Sequence, residues 1–218
     1  MAQTASDRRS VNSISFFDRW SASYDSGILQ RFTYRPLHDA VLGHLGPISP
    51  RRVLDMGCGT GQLTRRLATH FDHAQVTGFD YSAGMLNQAQ DRLIPLENAA
   101  LGRADATNLP VAPGSLDLIV CTESFHWYPD QEKALRDMCA ALSRGGRVAI
   151  GSVAAFNGVD QRAVELMSTR IDRPVRALTP SAMADMMDAV GIRVIFQRRI
   201  PRPSVLLPLP LLTIGHKP

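Results

Sequence analysis

From residue 52 onward the chain alternates between short β-rich runs and longer amphipathic stretches, and this rhythm limits the possible folds more than any other property. Strand-like runs stand at 52-RVLDM-56, 75-QVTGFD-80, 116-LDLIVC-121, 147-RVAIGSV-153 and 192-IRVIFQ-197, with a shorter one near 100-ALGRAD-105. Helical patterns fill the intervals at 61–71, 82–93, 130–143 and 180–191. Strand, helix, strand in succession places parallel strands side by side with crossover helices over both faces. The last two runs, 192-IRVIFQRRIP-201 and 209-LPLLTIGHK-217, have no helix between them and predict an antiparallel hairpin at the end of the sheet. Ser82 reads as an N-cap, and Gly145 and Gly191 as helix stops.

Ahead of this series, residues 13–45 read as amphipathic helix, with Phe16, Phe17, Trp20 and Tyr24 at near-helical spacing and Leu37, Val41 and Leu45 further on; Pro47 and Pro50 then break the chain. The expected division is an N-terminal helical cap over 1–45 and a core domain over 46–218. The length of 218 residues suits one domain with a small cap. The net charge is +4, but the arginines are scattered along the chain, whereas a nucleic-acid footprint gathers on one face. The three cysteines are widely spaced without a CxxC pair, which argues against a zinc knuckle or a disulfide framework and fits reduced thiols in the cytoplasm. No apolar leader is visible, and no apolar run reaches the roughly 18 residues of a membrane span. His38, His44, His70, His73 and His216 have no ligand-like spacing, so no metal is expected.

The stretch 53-VLDMGCGTGQL-63 carries the chemistry. Three glycines at alternate positions join the first strand to a helix, in the pattern D-x-G-x-G-x-G from Asp55 to Gly61. In a doubly wound sheet, ligands bind beyond the carboxyl ends of the strands where the strand order reverses. Glycine lets a ligand approach the main chain, and a helix N-terminus behind it offers N–H groups. A dinucleotide-binding turn would need glycine at 62, where Gln62 stands. Asp80 ends the second strand, 19 residues beyond Gly61, where a carboxylate can accept from two ribose hydroxyls.

In these features the chain resembles the class I S-adenosylmethionine-dependent methyltransferases, in the broad small-molecule group called methyltransferase type 11. The matching pieces are 53-VLDMGCGTGQL-63, 77-TGFDYSAGML-86, 103-RADATNLPVAPGSLDLIVC-121 and 144-RGGRVAI-150, with a looser match at 20-WSASYD-25. The resemblance implies a Rossmann-like, doubly wound, mostly parallel seven-stranded sheet with a terminal antiparallel hairpin and N-terminal helices. It implies S-adenosylmethionine as cofactor. Asp55 and the backbone of Gly57, Cys58, Gly59 and Gly61 would face its methionine part, and Asp80 its ribose. Tyr81 would lie against the adenine or ribose, Asp105 would accept from the adenine amine, and Ala106 would offer its N–H to the ring. The Thr122 carbonyl would meet the cofactor's amino group, with Glu123 beside it, and Tyr24 would close over the site. Family members often carry Pro before the paired glycines at the fifth strand; here Ser143 and Arg144 precede Gly145 and Gly146, which predicts only a different turn type.

Methyl transfer from a sulfonium needs a nucleophile placed in line, at roughly 3 Å, with water excluded. A general base is required only where the acceptor must lose a proton. The candidate base is His126 in 122-TESFHWYPD-130, although His126–Trp127 also reads as a structural pair at the start of a helix. The acceptor site is expected between the N-terminal helices, the 122–130 loop and the insert 154–180. Arg162, Arg170, Arg173 and Arg176 in that insert could receive an acidic small molecule or form a solvated helix face. The expected activity is methylation of a small-molecule acceptor by a monomer or homodimer, without nucleic acid or membrane. A methyltransferase-like binding or scaffold protein is the alternative, followed by a nicotinamide-dependent oxidoreductase, which Gln62 disfavours.

Overall fold

A computed structural model describes residues 34–156, 158–170, 174–201 and 209–218. Within these residues the chain opens with helix α1 (Arg35–His44). Then follow β1 (Arg52–Met56), α2 (Gln62–His70), β2 (Gln75–Asp80), α3 (Ala83–Leu93), β3 (Ala99–Arg103) and β4 (Leu116–Thr122). After a 3-10 turn at Phe125–Trp127 come α4 (Gln131–Ala141), β5 (Leu142–Val153), α5 (Gly158–Arg170), α6 (Pro180–Ala189), β6 (Arg193–Arg199) and β7 (Pro210–His216).

The seven strands lie in the order β3-β2-β1-β4-β5-β7-β6, and β7 runs antiparallel to both of its neighbours while the remaining pairs are parallel. The order reverses between β1 and β4, so the crevice for a ligand opens beyond Met56 and Thr122. This is the Rossmann-like architecture expected from the alternation of elements.

Strand periodicity distributes the core. Leu54, Met56, Ile119, Cys121, Val148 and Ile150 point to one face and pack with Phe125, Leu135, Met138, Met183 and Met187. Their neighbours Val53, Leu118, Val120 and Ala149 point to the other face, against Leu37, Val41, Leu63 and Leu67 from α1 and α2. Each fully buried Leu, Ile or Phe stabilises the fold by about 1.5–3 kcal/mol. The stripe Leu37, Val41, Leu45 thus anchors α1 to the sheet layer that carries α2, which fixes the height of α1 beside the crevice.

The ends of the helices are set locally. Ser82 caps α3, its hydroxyl accepting from the Met85 N–H at 3.1 Å, and Asp130 caps α4 through the Lys133 N–H at 2.8 Å. Gly191, at φ 83°, ends α6: its N–H bonds Asp188 O, and the Ile192 N–H bonds Met187 O, the paired pattern of a left-handed helix stop. The helix expected over 130–143 ends earlier, at Ala141. Leu142 is extended (φ −69°, ψ 135°) and pairs with Leu116 in the sheet. Gly145 is therefore a turn within the start of β5 rather than a helix stop; at φ 77° it donates its N–H to Lys217 O at 2.7 Å. Tertiary pairing overrides the apolar helical pattern at this point.

Candidate functional site

The turn after β1 is held almost entirely by the protein itself. The N–H groups of Gly57 and Cys58 both donate to Phe79 O, at 2.7 and 3.0 Å, and the Gly61 N–H donates to Cys58 O at 2.9 Å. The Gly59 N–H donates to Asp80 Oδ2 at 2.9 Å, and Oδ1 of the same carboxylate accepts from the Ser82 N–H at 2.8 Å. Asp80 therefore clamps the glycine turn to the end of β2.

The glycines serve close packing as well as conformation. Gly57 has φ 73°, and a Cβ there would lie 2.3 Å from Ser124 Oγ. Gly61 has φ 76°, and a Cβ there would lie 2.9 Å from Ala89 Cβ in α3. Both positions need a residue that tolerates the left-handed region, and both lack room for a side chain. The closest approach to Gly57 is thus made by the 124–128 segment, not by open space for a ligand. Ser124 itself donates to Met56 O at 3.1 Å and lies 3.1 Å from the Tyr128 hydroxyl and from Cys121 Sγ.

Asp55 is 1% exposed at the base of the crevice, where Thr64 Oγ1 donates to its Oδ2 at 2.6 Å. Burial raises its pKa from 3.8 to about 7, opposed by hydrogen bonds from Thr64 and assisted by the Asp80 charge. Burial, with the charges of Asp55 and Asp80, also raises the Cys58 thiol well above its ordinary range, so Cys58 stays protonated and is a poor nucleophile.

Asp55, Gly57, Cys58, Gly59, Thr122 and Glu123 share the walls of one cleft at the β1–β4 switch point. Glu123 has φ 53°, a left-handed conformation rare for a side-chain-bearing residue, and its N–H bonds Gly151 O at 2.7 Å. Such strain of about 1–3 kcal/mol clusters at functional sites. Further along the crevice, Tyr81 is exposed, its carbonyl accepting from Arg103 Nε at 3.0 Å with the guanidinium 5.5 Å from its ring centre. Asp105 accepts from the Thr107 N–H and Oγ1, both at 2.8 Å, and Ala106 is buried beside it. The Ala104 N–H donates to Asp80 O at 3.1 Å, which ties the 104–107 turn to the end of β2.

His126 stands apart from these residues. It is 2% exposed, its Nδ1 is 3.3 Å from Ser152 Oγ and its ring lies 4.7 Å from that of Trp127. Its carbonyl accepts the Arg176 N–H at 2.9 Å, and it is not part of the cleft wall. Tyr24, and most of the 1–45 cap, lie outside the described residues.

The remaining cleft wall comes from residues the motif did not identify. Tyr34 and His38, four apart and so on one face of the helical turn leading into α1, line it together with Thr60, Gln62 and Leu63. His38 is 6% exposed; burial and the Arg66 guanidinium lower its pKa to about 3, against the opposing effect of Asp39. It is a neutral imidazole throughout the physiological range. Arg66 in turn pairs with Asp39 at 2.5 Å, joining α2 to α1 beside the cleft. The available signal was a polar pair flanking the apolar stripe of α1.

Residues 53–146 match the family model described as a methyltransferase domain. A malonyl-[acyl-carrier protein] O-methyltransferase of Geobacter sulfurreducens is 35% identical over 142 residues, 64% of this chain and 51% of that protein. A demethylmenaquinone methyltransferase of Thermotoga maritima is 28% identical over 207 residues, covering 83% of this chain and 88% of its own. The match spans about half the length of several curated relatives, as with the first of these. Among solved structures, the Burkholderia thailandensis 1,6-didemethyltoxoflavin-N1-methyltransferase, with bound S-adenosylhomocysteine, superposes with a TM-score of 0.74 at 21% identity, covering 100% of this chain and 92% of that one. With β1 running into a glycine turn clamped by Asp80, residues 53–146 are similar in sequence to the methyltransferase-domain family, and the sheet is similar in fold to a solved methyltransferase.

Proposed function

We propose that this protein transfers a methyl group from S-adenosylmethionine to a small-molecule acceptor. The observation that carries the reading is the arrangement of two carboxylates around one pre-built glycine turn: Asp80 fixed by the Gly59 and Ser82 N–H groups, and Asp55 buried at the base of the cleft. A carboxylate has about four acceptor positions, so Asp80 can hold the turn and receive ribose hydroxyls together. Asp55, Thr122 and Glu123 give the cleft a wall suited to a cationic group, and a cofactor with a ribose and an ammonium fits this donor set.

Bound S-adenosylmethionine supplies a methyl group already activated by positive sulfur. The chain's part is to orient and to exclude water. The clamped turn presents a fixed surface, so little ordering entropy remains to be lost on binding. The Thr122 carbonyl and the strained Glu123 backbone border the point where β1 and β4 part, which is where an acceptor's lone pair would approach the methyl carbon. Tyr81 would cover the adenosine, and Asp105, held in its turn by Thr107, would read the adenine with Ala106. His126 would act as base only after a movement that frees it from Ser152, so acceptors whose nucleophilic atom is already unprotonated suit this site best. The names of two relatives, a trans-aconitate and a demethylmenaquinone methyltransferase, support a small organic acceptor.

The test is calorimetric titration with S-adenosylhomocysteine, with NAD as control. Micromolar binding of the first and none of the second is expected. Acceptor screening then follows formation of S-adenosylhomocysteine from S-adenosylmethionine. Binding without turnover on any acceptor would favour a cofactor-holding scaffold, and binding of NAD alone would overturn the cofactor assignment.

A further inference from the structure

Tyr81 follows directly on β2, at the carboxyl end of the sheet, and is 43% exposed. Among the described residues its ring belongs to none of the apolar clusters. What engages it is Arg103, the last residue of β3, which stands directly across from Asp80 in the strand register. From there Arg103 Nε donates to Tyr81 O at 3.0 Å, and the guanidinium carbon lies 5.5 Å from the centre of the Tyr81 ring. A guanidinium over an aromatic face is attracted by the ring quadrupole. One planar group thus acts on both the backbone and the ring of a single residue. Arg103 has no carboxylate partner among the described residues, so its charge is not engaged in an ion pair. The arginine is also not needed to join the strands. β2 and β3 pair in continuous register from Val76–Ala99 to Asp80–Arg103, and the Ala104 N–H donates to Asp80 O at 3.1 Å.

We propose that Arg103 is a positioning residue: it holds the Tyr81 ring from one side, so that the opposite face is ready for the adenosine of the cofactor. This deepens the proposed function and rests on it. An exposed aromatic side chain loses rotamer freedom when a ligand stacks on it, and that loss weakens binding. Arg103 imposes the order before the ligand arrives. The guanidinium suits the task because its donors and its stacking surface belong to one rigid plane.

A double-mutant cycle decides this, read by calorimetric titration with S-adenosylhomocysteine of wild type, Arg103→Leu, Tyr81→Ala and the double variant. A side chain that acts only through the Tyr81 ring has no effect left once the ring is gone. Arg103→Leu should weaken binding about fivefold and Tyr81→Ala about tenfold. The double variant should then bind within about twofold of Tyr81→Ala, where independent effects would multiply to about fiftyfold. If Arg103→Leu fails to fold, Arg103→Lys takes its place in the cycle; it keeps the charge, lacks the planar fork and should show a smaller first step with the same non-additivity. Losses that multiply overturn the positioning role. So does either single variant, Arg103→Leu or Tyr81→Ala, that binds within about twofold of wild type. A wild type that binds no S-adenosylhomocysteine defeats the cofactor reading and this inference with it, whereas binding by wild type with multiplying losses defeats the inference alone.

Discussion

Replacing Asp55 by Asn tests the electrostatics of the site without relying on any acceptor. Asp55 is buried, and its carboxyl group titrates at about 7 in the fold against 3.8 in its ordinary state, chiefly because burial penalises the charge. Between these two values the unfolded chain has lost the proton and the native protein has kept it. The native state therefore binds more protons, and stability falls as pH rises through this window. The contribution is fully present below about pH 3.8 and fully lost above about pH 7. At about 1.4 kcal/mol per pH unit the displacement amounts to about 4 kcal/mol. Asn has nearly the same shape, can still accept from Thr64 Oγ1 and does not ionise.

The assay is urea unfolding of both proteins at pH 5 and at pH 8. Every other titrating group is common to the two and cancels in the difference. The variant's stability relative to wild type should rise by about 3 kcal/mol between these conditions, the part of the window that they span. The new amide N–H adds a pH-independent offset, which this comparison removes. A difference that stays constant within about 0.5 kcal/mol would refute the argument, and would mean that Asp55 is ionised in the folded protein at pH 5.

Asp80→Ala should weaken S-adenosylhomocysteine binding by at least about tenfold, since it would remove the proposed ribose contact and release the Gly59 and Ser82 N–H groups; unchanged affinity in calorimetry would remove Asp80 from the site. Gly57→Ala should destabilise the protein by about 2–4 kcal/mol in urea unfolding, because it combines an unfavourable φ with a clash against Ser124, and Ser124→Gly in the same chain should restore part of the loss. Glu123→Gly should raise stability by up to about 1 kcal/mol, as the left-handed backbone is relieved, while cofactor affinity falls; a loss of stability would show that its side chain outweighs the strain. His126→Ala should leave S-adenosylhomocysteine affinity within about twofold, and on a proven acceptor unchanged turnover would end any role as base.

The sheet was legible because its strands and helices carry different periods, and because Pro47, Ser82 and Gly191 punctuate them. The first residues of β5 were not, because Leu135, Met138, Cys139 and Leu142 continue a helical apolar pattern past the point where Leu142 pairs with Leu116. At the site, the D-x-G-x-G-x-G pattern located the turn, whose Gly57 and Gly59 line the cleft, but did not show what packs against its glycines. A sequence shows that a side chain is missing and does not show what replaces it; at Gly57 the neighbour is Ser124, some 67 residues further on, and at Gly61 it is Ala89. The amides of Gly57, Cys58 and Gly59, expected to face the cofactor, are committed to Phe79 and Asp80. His38 escaped notice because a histidine beside an apolar helical stripe has no signature until the helix is docked.

A turn whose donors are satisfied internally has a consequence for how such a protein acquires specificity. Under the proposed function a nucleoside bound here would draw few new backbone bonds from the turn. Methyl transfer adds little further constraint, because positioning does most of the work. Selection of the acceptor then falls to whatever borders the crevice from outside residues 53–146. In the described residues α1 does so, with Tyr34 and His38 in the cleft wall and the Arg66–Asp39 pair fixing the helix to α2. An exposed ion pair contributes about 0–1 kcal/mol to stability, and this one adds a tie between α1 and α2 beside His38. Asp39→Ala should therefore change cofactor or acceptor affinity more than its small effect on unfolding would suggest. An affinity unchanged alongside unchanged stability would show that the apolar stripe Leu37, Val41, Leu45 holds α1 in place unaided.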